Sequence, residues 1–457
     1  MKWRELFSKK KEQEKSPEAA PQPKPEPPLV FGTLDFFPLE SCEDVVVRGT
    51  VQGTVKKGDA VYVCNPGEDE GAIFLTTVTG IETAAGGTVE RASGVKAALR
   101  LERGKKYLIK KGTVVFHRNA STAAVHQAYV SALGDAFVAS QKLELSERDR
   151  ESMSLTDCAE VWRLFSWFRS TISETESQKQ KSEENRDKLG ALMCKKLLAA
   201  KEIYCVVNRK TGEPHLFSHT IPQQGSYECT PPDICILTKA YKADLEKQYP
   251  EDRIEIRKIE NGENGDGIKN FLADAFYLNG ACGVGILFEQ ASIGAEALVP
   301  KPDYSGVDPR KAPVTNPAVM RWMLLLNQMG QPETESERVV CGVYHRFLAL
   351  ALREARFLVP VRRSGPPPNP AQNESRTLQK GDCIEVFTGK GKGERDAVRL
   401  YTDWKRLREG CGPEWNAVVQ PIDELIGRMD CAINVTAHPE SGYYLDEELY
   451  RQIKAMQ

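Results

Sequence analysis

The runs Arg356-Phe-Leu-Val-Pro-Val-Arg362, Val398-Arg-Leu-Tyr-Thr402 and Cys431-Ala-Ile-Asn434 are short apolar segments of the C-terminal stretch 354–457, and polar turns separate them. Such runs, bounded by turn residues, predict buried strands. The stretch that begins with Ile203-Tyr-Cys-Val-Val207 repeats the same order of runs. This repetition predicts a duplicated α/β module.

The two copies align run by run. We expect aligned segments to occupy the same place in each module, so that 276–279 would take the place of a strand. The aligned pairs, first copy before second, are 234–247 with 398–407, 254–257 with 416–419, 276–279 with 431–434, and the glycine-rich 279–285 with 434–442.

Composition limits the kinds of protein that the chain can be. Its 457 residues suggest about two to four domains, and its 40% hydrophobic fraction can form real cores. The net charge of -2 argues against binding nucleic acid over the whole surface. The 12 cysteines include no C-x-x-C pair and lie in apolar runs, which favours the reducing cytoplasm. No apolar run is long enough to predict a membrane span.

The N-terminal segment 1–30 is predicted to be a disordered tail, because its Lys, Glu and Pro residues cannot form a core. Trp3, Leu6 and Phe7 could share one face of a short helix beside lysines. That helix would touch an anionic membrane or a partner groove; a frayed tail is the plainer interpretation. We find no apolar segment there that would predict a secretory signal.

Short alternating runs separated by glycine occupy 31–119 and predict about six or seven strands with tight turns. A small antiparallel β-barrel is the natural closed form, because closure removes exposed strand edges. Residues 120–185 are predicted to form a helical connector, in which Val161, Leu164 and Phe165 recur at helical spacing. The two module copies follow at 186–300 and 317–457.

Three segments within 41–118 carry a resemblance to a known family. Gly49-Thr-Val-Gln-Gly53, Thr77-Val-Thr-Gly-Ile-Glu82 and Ile109-Lys-Lys-Gly-Thr-Val-Val-Phe116 resemble, in this order, the second domain of elongation factor Tu and related translation GTPases. The chain contains no G-x-x-x-x-G-K-[ST] phosphate loop. The resemblance therefore implies a barrel that contacts RNA or another domain, without GTP hydrolysis.

The repeated modules resemble the N-terminal domain of the SseB family. The resemblance is carried by Arg356-Phe-Leu-Val-Pro-Val361, Leu400-Tyr-Thr-Asp-Trp404, Pro421-Ile-Asp-Glu-Leu425 and Ala432-Ile-Asn434. The first copy departs from it, with Thr238-Lys-Ala240 in place of Thr-Asp-Trp. The resemblance implies the fold and a binding role, and it implies no reaction. We expect a bacterial, cytoplasmic protein.

One dense basic cluster lies inside the predicted barrel. Arg103, Lys105 and Lys106, together with the pair Lys110-Lys111, would meet phosphates if their side chains faced one way. The interleaved glutamates favour a solvated barrel surface instead. The cluster is nevertheless the candidate RNA contact.

The glycine-rich loop 279–285 offers a second candidate site. Cys282 would be a nucleophile if free backbone N–H groups of this loop formed an anion nest. A buried cysteine in a tight turn is the alternative. Asn279 and Asn434, at the starts of the two aligned loops, are candidate binding residues.

Two histidines four residues apart, His215 and His219, could bind a metal together with Cys229 if they lay on a helix. Pro214 and Gly212 favour a hairpin or loop, so we expect neither a metal nor a cofactor.

We therefore expect a non-enzymatic protein-binding or adaptor protein, since duplicated modules offer two related surfaces and no catalytic constellation stands out. The alternatives are an RNA- or ribosome-associated accessory protein acting through the barrel, and an enzyme using the loop 279–285.

Overall fold

The structure is a computed structural model. The tail up to residue 25, with Trp3, Leu6 and Phe7, lies outside its described residues, and so does the predicted loop at 435–442. The described residues are 26–68, 73–85, 87–171, 175–224, 226–239, 241–242, 253–287, 291–308, 312–363, 384–390, 396–425, 431–434 and 443–455.

The first domain is a closed barrel of six antiparallel strands, which confirms the predicted β-barrel. Strand order is β4-β9-β1-β2-β8-β5, and β5 pairs back onto β4. Alternate side chains such as Val45, Val47 and Val51 point inward, as the period-2 pattern requires. The strands are β1 (Val30–Pro38), β2 (Val45–Gln52), β3 (Thr54–Lys56), β4 (Ala60–Cys64), β5 (Phe74–Thr83), β6 (Gly87–Thr88), β7 (Arg91–Ser93), β8 (Lys96–Leu101) and β9 (Val114–Phe116).

Helices follow the barrel. The barrel meets them closely at Gly32, where an added Cβ would lie 2.5 Å from the carbonyl oxygen of Ala128. The long last helix continues across the predicted division between connector and first module at 185–186. These helices are α1 (Thr122–Leu133), a π-helical turn (Gly134–Val138), α2 (Glu147–Ser152), α3 (Leu155–Thr171) and α4 (Glu176–Ala199).

The first α/β module is built on the strand order β15-β10-β14-β16-β17. The pair β14–β16 is parallel, and the other neighbours in this order are antiparallel. Its elements are β10 (Glu202–Asn208), β11 (Leu216–Phe217), β12 (Thr220–Gln223), β13 (Ser226–Cys229), β14 (Asp233–Leu237), β15 (Ile254–Glu260), α5 (Gly267–Tyr277), β16 (Gly283–Ile286), β17 (Ala291–Gly294) and α6 (Ala295–Leu298).

The second module repeats this order as β22-β18-β21-β23-β24. A bridge between Leu358 and Tyr401 joins β18 to β21, and the pair β21–β23 is again parallel. Its elements are α7 (Pro317–Met329), α8 (Glu335–Glu354), β18 (Arg356–Arg363), β19 (Ile384–Val386), β20 (Thr388–Lys390), β21 (Asp396–Leu400), α9 (Trp404–Cys411), β22 (Asn416–Pro421), α10 (Ile422–Leu425), β23 (Cys431–Ile433), β24 (Tyr443–Leu445) and α11 (Glu447–Ala455).

The alignment of 276–279 with 431–434 is wrong. Phe276 belongs to helix α5, because it continues a buried stripe of Ile268 and Leu272 at helical spacing. Equivalent backbone bonds identify the true counterparts: Leu287 N donates to Ile236 O (3.0 Å), and Asn434 N donates to Leu400 O (2.9 Å). Asn434 is therefore the counterpart of Leu287, and the alignment of 279–285 with 434–442 fails with it.

One continuous apolar core runs through the connector and both modules, while the barrel interior has a core of its own. In the described part of the chain, every helix is too short or too polar to cross a membrane.

Candidate functional site

The predicted basic residues Arg103, Lys105 and Lys106 lie together on an exposed turn of the barrel. Asp44 organises this turn, since its carboxylate accepts a hydrogen bond from Arg103 N (3.0 Å) and another from Arg100 Nε (2.7 Å). The bond from Arg103 N and the Arg100 guanidinium lower the pKa of Asp44. Acidic residues thus accompany the basic ones, and the turn has mixed charge.

Lys110 and Lys111 do not belong to that surface. Lys110 is 2% exposed and is ion-paired with Asp157 and Glu68, because its side chain points into the junction between barrel and connector. Burial opposes its charge, yet the two carboxylates outweigh burial and raise the pKa of Lys110. Lys111 pairs with Asp149 at 3.0 Å. The predicted cluster is therefore reduced to the three residues of the turn.

Large apolar side chains lie exposed beside this turn. Ile73, Leu75 and Leu108 are 61%, 57% and 53% exposed. Tyr107 holds the chain at Leu108 close to β5, since its ring stacks on Phe74 at 4.2 Å and its hydroxyl donates to Leu75 O (3.2 Å). We call Ile73, Leu75, Tyr107 and Leu108 the barrel patch.

The barrel patch was missed from the sequence, although a signal exists. Leu75 is an outward position of β5, where alternation calls for a polar residue. Grouped exposed apolar side chains mark interaction surfaces in soluble proteins. With Lys105 and Lys106 next to it in the chain, the patch combines an apolar centre with a charged rim, as protein interfaces do.

Asn279 lies elsewhere, buried at the junction between the two modules. Its amide nitrogen donates to Glu213 Oε2 (2.8 Å), and its amide oxygen accepts a hydrogen bond from Arg406. Arg406 comes from the second module and also pairs with Glu213 (2.8 Å) and Asp403 (2.5 Å). We call Glu213, Asn279, Asp403 and Arg406 the junction cluster. Its groups satisfy one another, so Asn279 holds the modules together.

A cleft of about 280 Å³ opens beside the junction cluster. Arg257, Asp274, Lys405 and Glu409 line it with both signs of charge. Lys405 Nζ already pairs with Asp274 Oδ2 at 2.6 Å, which ties the two modules at the rim of the cleft.

Cys282 is half-buried, and its surroundings disfavour a nucleophile. Burial raises the pKa of its thiol, so the reactive thiolate is disfavoured. The backbone N–H groups that would form the expected anion nest already donate to carbonyl oxygens. Cys282 N donates to Pro232 O (2.7 Å), and Ala281 N donates to Ala275 O (2.9 Å). The loop closes on its own fold.

Asn434 is fully buried at the end of β23. Its amide group makes no hydrogen bond within the described ranges, and residues 435–442, which follow it, lie outside them. Its counterpart in the first module is Leu287 and not Asn279.

His215 and His219 lie on the hairpin side of the first module, and not on a helix. His215 precedes β11, and burial lowers its pKa to about 4, whereas His219 is exposed. Over the described ranges, no group of three His, Cys, Asp or Glu side chains is placed to hold a metal ion.

No protein-family model matches the chain, and no curated protein matches its sequence. The resemblances to the SseB family and to the second domain of elongation factor Tu therefore stay predictions.

Proposed function

We propose that this protein is a non-enzymatic adaptor that binds a partner protein through the barrel patch. The observation that carries the proposal is the exposure of Ile73, Leu75 and Leu108, at 61%, 57% and 53%, where the chain at Tyr107 meets strand β5. Burying such side chains against a partner gains roughly 25 cal/mol for each Å² removed from water.

A protein partner accounts for this surface better than RNA does. Carboxylates of Glu43, Asp44 and Glu102 accompany Arg103 and Lys105, and they would oppose a phosphate backbone. One face of the Tyr107 ring is already covered by Phe74, which limits base stacking. A partner protein with an apolar centre and side chains of both charges would complement the exposed apolar side chains of the barrel patch and the mixed charge of the turn.

The two α/β modules form the other half of the adaptor in this proposal. We propose that they are SseB-like, on the sequence resemblance, and that they give the protein a second, rigid body for partners. A cytoplasmic setting is part of the proposal, and it is supported by the eleven cysteines of the described residues, which are all free.

The test is a double substitution, Leu75→Ser with Leu108→Ser, in the tagged full-length protein. The matched control is Leu350→Ser, which changes a leucine of similar exposure (50%) on helix α8. Captured proteins are compared by mass spectrometry in native lysate, with and without RNase.

We expect specific proteins to be captured by the natural sequence and by the control, and to be lost with the double substitution. RNase should leave them in place. Capture that survives the double substitution would refute the proposal. Ribosomal components lost on RNase treatment would establish the RNA-associated alternative instead.

A further inference from the structure

A long groove runs between helix α4 and the chain segment 142–151, away from the barrel patch. Its volume is about 1190 Å³, and no residue of the barrel patch or of the junction cluster lines it. The groove therefore offers a surface that is independent of the proposed adaptor function.

Both walls of the groove are held in place by hydrogen bonds. At one end, Asn185 of α4 accepts from Leu143 N (2.9 Å) and donates to Gln141 O (3.0 Å). Near the other end, Lys111 pairs with Asp149, which also closes a capping box with Ser146 at the start of α2. A groove whose walls are already ordered loses little conformational entropy on binding.

The floor of the groove is apolar, and small side chains at its edge leave it open. Leu143 and Leu192 are buried beneath it. Ala191 and Ala199 face the opening from α4, where their single methyl groups leave room for a ligand.

Six basic and four acidic residues line the groove, so its lining is basic overall. Lys188 and Lys195 are exposed on the α4 wall, two turns and about 10 Å apart. Within the described residues, neither lysine forms an ion pair. The facing wall carries both signs of charge, since Lys142 and Arg150 are exposed there beside the carboxylates of Glu147 and Glu151.

We propose that this groove binds an amphipathic, acidic helix of a partner protein. Carboxylates seven residues apart on such a helix would meet Lys188 and Lys195, since both helices repeat their faces every seven residues. Its apolar face would cover the floor, which is the helix-in-groove mode of recognition. A nucleic acid fits less well, because it has no apolar face to cover the floor of the groove.

The test is fluorescence anisotropy with a labelled helical peptide of about five turns, carrying Leu and Ala on one face and Glu on the other. The comparison peptides replace every Glu by Lys or every Leu by Ser. A labelled oligouridylate serves as the nucleic-acid probe.

The protein variants are Lys188→Glu with Lys195→Glu, and, as matched control, Lys179→Glu with Lys181→Glu. The control makes the same charge change on the same helix, at exposed positions outside the groove. Circular dichroism of both variants confirms that the fold is retained.

We expect the acidic peptide to bind the natural sequence and the control variant, and the groove variant to bind at least about tenfold more weakly. Both comparison peptides should lose binding. No saturation by about 1 mM peptide, equal loss in the control variant, or tighter binding of oligouridylate would each overturn the proposal.

Discussion

The two α/β modules share one strand order but differ at the residue after the threonine that follows their central strand. The pairs Tyr204–Leu237 and Leu358–Tyr401 occupy the same register, so Thr238 and Thr402 are equivalent. The next residue is Lys239 in the first module and Asp403 in the second.

Asp403 changes what the second module can do. Its carboxylate accepts a hydrogen bond from Arg406 N (2.9 Å) at the start of α9 and pairs with the Arg406 guanidinium. Arg406 in turn reaches Glu213 and Asn279 of the first module. The two modules thus share one scaffold, but Asp403 at the start of α9 has Lys239 as its equivalent in the first module. This difference makes the junction between the modules asymmetric.

The largest expected effect comes from Arg406→Met, which would leave Glu213 and the buried Asp403 without their cation. Breaking a buried pair by removing one partner costs about 3–5 kcal/mol. We expect a loss of this size in the free energy of unfolding, measured by urea denaturation.

Its control is Lys405→Met, which removes a neighbouring tie between the same modules. Lys405 and Asp274 have side chains 53% and 44% exposed, so we expect a loss of about 0–1 kcal/mol. Equal losses in the free energy of unfolding for the two variants would show that Arg406 stabilises the protein no more than a surface ion pair does.

The next effect tests acid stability in the first module, at His215. Burial lowers the pKa of folded His215 from 6.5 to about 4, so between these values only the unfolded chain binds the proton. Stability contributed by neutral His215 is present above pH 6.5 and is lost as the pH falls towards 4, by about 3 kcal/mol. We expect His215→Phe to remove this part of the stability loss at acid pH.

The comparison for this prediction is His219→Phe, at an exposed position of the same region. Urea denaturation at pH 7 and near pH 4 gives the loss for each variant. If His215→Phe loses as much stability between pH 7 and pH 4 as the natural sequence, other groups account for that loss.

The smallest effect concerns the backbone where the modules meet. Gly280 has φ of +80°, and an added Cβ would lie 2.1 Å from the carbonyl oxygen of Pro317 in α7. We expect Gly280→Ala to cost about 1–3 kcal/mol in thermal or urea unfolding, because strain and overpacking add.

Gly342→Ala is the matched control with the opposite sign. Gly342 lies in the exposed interior of α8, and nothing lies within 4 Å of an added Cβ. There alanine should stabilise the protein by up to about 1 kcal/mol. Destabilisation of similar size at both glycines would contradict the assigned role of Gly280.

Sequence reasoning succeeded where the pattern is local. Alternation in 31–119 predicted a barrel, and the repeated runs predicted two related modules. It failed at Phe276, which an apolar run alone cannot assign to a strand or to a helix. It also failed at Lys110, which looks like a surface lysine until its position against the connector is known.

The pattern of apolar residues determined the strands, the helices and their repeated order, because each element needs one face to bury. The candidate sites were decided by the tertiary structure alone. Arg406 and Glu213 are 193 residues apart in the chain, and Lys110 and Asp157 are 47 apart. Whether such charges meet, or whether Leu75 and Leu108 stay exposed, depends on which surfaces packing covers, and no local pattern encodes that.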